Sequence, residues 1–232
     1  MKKVLAVLTF ALLICSQFAY GQMATEETSS TQYVTNRPIK AYPTVERISG
    51  SPYENQEFAI GNILKDGKIL AGNIAIRYNA LRDEIEVKRK IEDHNRTARV
   101  MTRSPEVYAK ILNKLFVFVP NKEGLSASGY FLVLHEGEKY DLYKKITKEY
   151  VEGSESMSGL TRDIPAMYKE KEFYYLADKE AGTIKAFPKS RNGKFSLLGK
   201  KKKELKKYAN ENRLNVNKEY ALVKLLKYYE TL

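Results

Sequence analysis

Six lysines carry the densest local charge in this 232-residue chain: Lys200, Lys201, Lys202 and Lys203 in a row, with Lys206 and Lys207 one helical turn later. Clustered ammonium groups bind anions. These stand where the apolar spacing predicts a helix to begin, so the partial positive charge of the helix N-terminus adds to theirs. The chemistry on offer is docking on lipid headgroup phosphates, lipopolysaccharide or an anionic polysaccharide, with Tyr208 and neighbouring aromatics lending contact area. The alternative is an ordinary solvated helix face balanced by Glu204 and Glu211.

Groups that titrate or attack near neutral pH are sparse. His94 and His135 are the two histidines, and neither stands in the His-x-His or His-Glu-x-x-His spacing that holds a metal. His135 falls at a strand end beside Glu136-Gly137-Glu138, where a solvated imidazole is expected. No Gly-x-Ser-x-Gly elbow occurs, and Ser126 and Ser128 beside Gly129 read as turn residues. Asp83, Glu84 and Glu86 form the densest carboxylate cluster, the residue type that serves glycoside hydrolysis or calcium binding. Strand alternation with Ile85 and Val87 inward sends Glu84 and Glu86 outward together, beside Lys88, onto a solvated face. The spaced Asp/Asn and Gly pattern of a calcium loop is missing. No catalytic residue, metal ligand or cofactor site is therefore assigned. Seventeen tyrosines without a tryptophan suit sugar or base stacking, but equally suit strands, since tyrosine has an apolar body and a polar tip. Without the aromatic signature of an RNA-binding sheet, specific nucleic-acid recognition is not expected.

The N-terminus sets the compartment. Lys2 and Lys3 precede an apolar run over 4–15, and Ala19-x-Gly21 supplies small side chains before Gln22, which reads as a secretory signal peptide over 1–21. About a dozen apolar residues are too few to span a bilayer, which takes roughly twenty. Cleavage removes Cys15, the single cysteine, so the mature chain has no disulfide and no thiol chemistry. The competing reading makes Cys15 the acylated residue of an outer-membrane lipoprotein, although Ile14 is bulky where such sites carry a small residue. No second membrane segment follows, and losing Lys2 and Lys3 lowers the formal charge of +12 only to about +10. An exported protein this basic, in the periplasm or outside the cell, is drawn to anionic envelope components.

The elements that must position these residues follow from periodicity. Residues 22–47 are rich in Ser, Thr and Glu and read as a flexible leading segment. Residues 48–187 read as an antiparallel β domain, a meander curled or partly closed: Phe58 and Ile60, then Ile74, Ile76 and Tyr78, then Ile85 and Val87 alternate with period two. Asp66-Gly67 is a hairpin turn. The run from Leu115 to Val119 suggests a strand covered on both faces. A long loop is expected over 152–165, before a last strand pair near 173–187. Residues 188–232 form a C-terminal helical segment packed on the sheet. Leu205, Tyr208, Ala209 and Leu214 share one face, and Tyr220, Val223 and Leu226 with their apolar neighbours another, capped by Asn215 or Asn217. Residues 190–198 are either a hairpin strand through Asn192-Gly193 or a short helix capped by Ser190.

Gly50-Ser51-Pro52-Tyr53, Arg77-Tyr78-Asn79 and Asp83-Glu84-Ile85-Glu86, together with the lysine-rich helix, Asn212-Arg213-Leu214 and the final Tyr228-Tyr229, resemble a group of uncharacterised exported proteins of Bacteroidota-type bacteria. The resemblance runs from Gly50 to Leu232. It implies envelope export, a β-rich fold with a helical tail, and the short helix after Ser190, within which Gly193 is a poor helix residue. It assigns no activity. The reading that follows is a non-enzymatic binding or scaffold module of the cell envelope, partnered by an anionic component or by another envelope protein. The alternatives are a secreted hydrolase acting on an anionic or glycan substrate, which requires a deep pocket joining His94 or His135 to a carboxylate, and a periplasmic carrier of an apolar ligand, which requires a sheet face its own side chains leave unfilled.

Overall fold

The structure is a computed structural model that describes residues 33–42, 48–125, 127–155 and 162–232. The expected signal peptide over 1–21, with Cys15, and Gln22, Ser126 and the middle of the expected 152–165 loop lie outside the described residues.

Among the described residues eleven strands form one open sheet: β1 (Val34–Pro38), β2 (Ala59–Lys65), β3 (Lys68–Asn79), β4 (Glu84–Lys88), β5 (Arg99–Met101), β6 (Val107–Ile111), β7 (Lys114–Val119), β8 (Gly129–Glu136), β9 (Tyr140–Val151), β10 (Met167–Asp178) and β11 (Thr183–Ala186). The order is β1-β5-β4-β3-β2-β6-β7-β8-β9-β10-β11, antiparallel throughout. The chain meanders from β2 to β5, returns to the free side of β2 through β6, and meanders again to β11. Helices α1 (Arg191–Leu197), α2 (Lys202–Glu211) and α3 (Glu219–Glu230) close the chain. The fold is thus mainly antiparallel β with a C-terminal helical segment, as the periodicity predicts. Asp66 and Gly67 take positive φ (51° and 73°) in a two-residue turn between Lys65 and Lys68, the conformation a tight hairpin needs.

One sheet face carries Ile63, Ile76, Tyr78, Ile85, Ile111, Phe116, Tyr130, Leu132 and Ile146 in a single core. The sheet curls around it. The Tyr78 hydroxyl donates to Asp83 Oδ1 (2.7 Å) and to the Ile146 carbonyl (3.2 Å), and Lys148 N–H donates to the Ala80 carbonyl, so the β3–β4 turn reaches β9. Further along that face Leu142 and Leu176 meet the helices. Alternation on β7 puts Phe116 into the first core and Val117 and Val119 onto the opposite face, as expected for a strand covered on both sides.

Two expectations are corrected. Val34–Pro38, placed by composition in the flexible leading segment, pair with β5. Glu84 and Glu86 are not on a solvated face; they are 3% and 0% exposed. Tyr42, Tyr53 and Phe58 lie over the second face of β3 and β4, and there Arg77 stands directly opposite Glu86 across the ladder. Arg77 Nη2 donates to Glu86 Oε2 (2.7 Å), Asn79 Nδ2 donates to Glu86 Oε1 (2.9 Å), and the guanidinium stacks 3.5 Å from the Tyr53 ring and 4.2 Å from Phe58. Glu84 pairs with Arg37 and Arg82. The alternation was right about which side chains share a face, but the covering segment lies outside the strand's own sequence.

Candidate functional site

The lysine cluster sits on a helical tail whose position is fixed at several points. Residues 190–198 are helical: Ser190 Oγ accepts the Gly193 N–H (3.1 Å), capping α1. A Cβ on residue 193 would lie 2.7 Å from that oxygen and 2.8 Å from Pro188 Cβ, which explains a glycine inside a helix. Phe195 and Leu198 of α1, Leu205 and Ala209 of α2, and Ala221, Leu222, Leu225 and Leu226 of α3 form one core with Leu142 and Leu176 of the sheet. Tyr208 stacks on Tyr228, and Tyr140 on Tyr229. Tyr220, expected on the apolar face of α3, is 56% exposed instead. Lys218 occupies the N-cap position of α3 with no side-chain cap; Asn215 bonds the Asn217 N–H, and Asn217 accepts from Lys194, so neither caps the helix.

Polar contacts complete the docking. The Glu230 carboxylate accepts the N–H groups of Glu138 (2.9 Å), Lys139 (3.0 Å) and Tyr140 (2.9 Å), clasping the β8–β9 turn. Burial acts to raise its pKa, but the three N–H donors and nearby His135 outweigh that and hold it below the usual carboxylate range. A Cβ at Gly137 would fall 2.1 Å from this carboxylate. Glu219 pairs with Lys144 of β9 (3.0 Å), which also meets Glu172 (2.6 Å). Lys194 is buried and donates to the Val216 carbonyl (3.1 Å) and Asn217 Oδ1 (2.6 Å); burial pushes its pKa down.

This docking shapes the charge of the tail. Residues 188–232 hold thirteen Lys and Arg against four Glu, a net of +9 in a chain of +12. Two of the four, Glu219 and Glu230, face the sheet and its hairpin, which leaves Glu204 and Glu211 on the tail's own surface. Lys207 lies 3.9 Å from Glu211, Lys202 donates to Ser196 Oγ, and Lys206 approaches the Phe195 ring. Lys200, Lys201 and Lys203 make no ion pair among the described residues. Lys200 and Lys201 belong to a 3-10 turn (Gly199–Lys201) ahead of α2, so only Lys202 and Lys203 stand in the first α-helical turn. On and beside the sheet, by contrast, many cations are matched, Lys148 with Glu170, Lys145 with Asp83, Lys179 with Asp141 and Arg77 with Glu86 among them. In comparisons with family models, with curated proteins and with solved structures, nothing matches this chain.

The remaining candidate groups serve the fold or stand apart. Asp83, in the β3–β4 turn with φ 54°, accepts from Tyr78, Lys145 and the Tyr130 N–H, a junction between turn and sheet. Ser128 lies in the approach to β8. His94 caps a 3-10 turn (Asn95–Thr97), its Nδ1 accepting the Arg96 N–H. His135 is not solvated at its tip: a bulge sets it opposite Leu142, and its Nε2 is buried with no hydrogen-bond partner among the described residues. Among the described residues no group of three or more His, Cys, Asp or Glu could hold a metal ion, and no helix is long and apolar enough to cross a membrane.

Two clefts escaped the sequence reading. One, of about 580 Å³, is walled by Tyr42, Tyr53 and Tyr168 above the Arg77–Glu86 pair, with His94 and Glu57 at its edge. Burial, reinforced by Glu86, pushes the Tyr53 phenol up to about 12. The other, of about 650 Å³, lies on the sheet face opposite the helices. Neither is a run in the sequence, since each gathers residues from several strands and loops.

Proposed function

We propose that this protein is a non-enzymatic binding module of the cell envelope that docks through its helical tail on an anionic surface of lipid headgroups, lipopolysaccharide or polysaccharide. The observation that carries this reading is the uneven use of carboxylates. The sheet pairs several of its own cations and engages two of the tail's four carboxylates, leaving Lys200, Lys201 and Lys203 with no ion pair among the described residues. Unneutralised ammonium groups on a firmly packed tail lose little order on meeting a polyanion, because the helices that carry them are already in place.

The test replaces Lys200, Lys201, Lys202 and Lys203 with glutamine and follows co-sedimentation with phosphatidylglycerol vesicles and with lipopolysaccharide at low and high salt. A lysine close to an anionic surface contributes about 1 kcal/mol, so the variant should lose up to about 4 kcal/mol, near a thousandfold in partitioning. Wild-type binding should weaken steeply with salt as the Debye length shortens. Equal partitioning of variant and wild type would refute the reading.

A further inference from the structure

The larger cleft shows a second site, independent of the basic tail. The sheet's two faces are filled very differently over β7 to β11. On the helix-bearing side Phe116, Leu132, Leu142 and Leu176 are covered by other elements. On the other side Phe131 and Tyr175 fill one part, and next to them Val117, Val119, Val133 and Ala177, with Tyr143 and Ile184 beside them, leave about 650 Å³ of open volume. That volume falls within the roughly 300–1,000 Å³ typical of small-molecule sites.

The polar groups at its closed end ask nothing of a ligand. Asp141 is 6% exposed, and its carboxylate accepts from the Tyr143 hydroxyl (3.0 Å), the Gly137 N–H (3.2 Å) and Lys179 (3.1 Å). Lys179 also donates to the Gly137 carbonyl (2.7 Å). At this end a sugar or nucleotide would bury its own hydroxyls or phosphates against groups already bonded to one another, at a cost an apolar ligand does not meet. The charged side chains of the lining nearly cancel, Lys122 and Lys179 against Glu136, Asp141 and Asp178, with a slight negative excess that does not favour an anionic head.

A flap lies over the opening. Residues 120–125 fold back from β7 until the Glu123 carbonyl accepts the Ile184 N–H of β11, a long bond of 3.4 Å. Gly124 makes this approach feasible, with φ +89° and its α-carbon so close that a Cβ would lie 1.8 Å from the Ile184 carbonyl oxygen. One long hydrogen bond, the Gly124 contact and Leu125, packed on the Val117–Ile184 cluster, hold the flap, so parting it from β11 breaks no strand pairing of the sheet.

We infer that this groove binds the acyl chain of an amphiphile with an uncharged head, the chain lying on Val117, Val133 and Ala177 beneath the 120–125 flap. Recognition comes from burial of the chain, and the satisfied Asp141–Tyr143–Lys179 group marks the end that polar ligands do not enter.

The probe is N-phenyl-1-naphthylamine, an uncharged apolar fluorophore, titrated into the full exported chain and then displaced with monolauroylglycerol, with laurate, or with glycerol. Saturable one-to-one binding is expected, displaced by monolauroylglycerol and not by glycerol. A177F, which puts a ring on the floor, should weaken the probe by at least about tenfold. G124A, in an exposed flap, should also weaken it while thermal melting of the sheet stays unchanged, so the test survives even if A177F folds poorly. Laurate displacing more than tenfold better than monolauroylglycerol would overturn the uncharged head. Absence of saturable binding, or wild-type affinity in a folded A177F or in G124A, would overturn the site.

Discussion

Replacing Glu230 should loosen the helical tail from the β8–β9 hairpin, and the size of the effect follows from its three bonds. Hydrogen bonds to a charged acceptor contribute about 1.5–3 kcal/mol each when well shielded. Glu138 and Lys139 are exposed, so water replaces much of what their N–H groups lose. E230A should therefore cost about 2–3 kcal/mol in total, and E230Q, which keeps one neutral oxygen acceptor, about 1 kcal/mol. In a protein of this size each 1 kcal/mol shifts Tm by about 2–4 °C. The assay is thermal unfolding by circular dichroism, with hydrogen exchange at Glu138, Lys139 and Tyr140 locating the loss. The pH dependence provides a second check. Because the folded-state pKa of Glu230 is depressed, its contribution is fully present above the ordinary carboxylate value near 4.3 and is lost as pH falls through the folded value. The wild-type and E230Q curves should thus be separated at pH 7 and draw together as the pH falls below the ordinary carboxylate range and through the folded value. Coincident curves at pH 7, or a gap that persists in acid, would refute the latch.

Three further substitutions probe other joints. R77M leaves Glu86 fully buried with Asn79 as its remaining partner, so it should cost about 3–5 kcal/mol, while R77M/E86L should recover much of that loss in chemical denaturation. G61A puts a Cβ 2.4 Å from the Lys110 carbonyl and 2.9 Å from Ile76 Cδ1 in the strand that joins the two meanders; it should lower the denaturation midpoint by the equivalent of about 1–3 kcal/mol. S190A removes the α1 cap and should cost about 1 kcal/mol, seen as faster proteolysis after Lys194 before any change in the sheet.

Much of the fold was legible because it is local. Period-two runs such as Ile74-Ile76-Tyr78, the Asp66-Gly67 turn and the switch to a 3.6 period after residue 200 each report on neighbours within a few positions. What stayed hidden depends on partners distant in sequence. Glu86 looks like a surface carboxylate until Tyr53 and Phe58 are known to lie over it with Arg77. His135 looks solvated until the β8 bulge reverses its face. Tyr220 fits the apolar stripe of α3 but falls at the edge that no element covers. For the candidate site, the lysine run was plain in the sequence, and the charge count over 188–232 signals the same face. The fate of the tail's acids was not, because Glu219 and Glu230 find their partners in β9 and in the turn before it, 75 and about 90 residues away.

That last point links stability to charge. Strands β9 and β10 set Lys148 opposite Glu170 and Lys169 opposite Glu149, with Lys171 reaching Glu149 diagonally, so the register of the hairpin favours neutrality there. A helix packed on such a sheet has no such constraint on its outer face. When its acids turn inward to bond the sheet, docking and electropositive character arise from the same contacts: each carboxylate that anchors the tail is removed from the surface that its lysines share. Loosening the Glu230 clasp should weaken polyanion binding as well as lower Tm, because the lysines then lose order on binding that the docked tail spares them, even though glutamine at 230 makes the chain more positive by one charge. A simple net-charge account predicts the opposite sign, so vesicle binding by E230Q at low salt separates a surface built by docking from one that follows net charge alone.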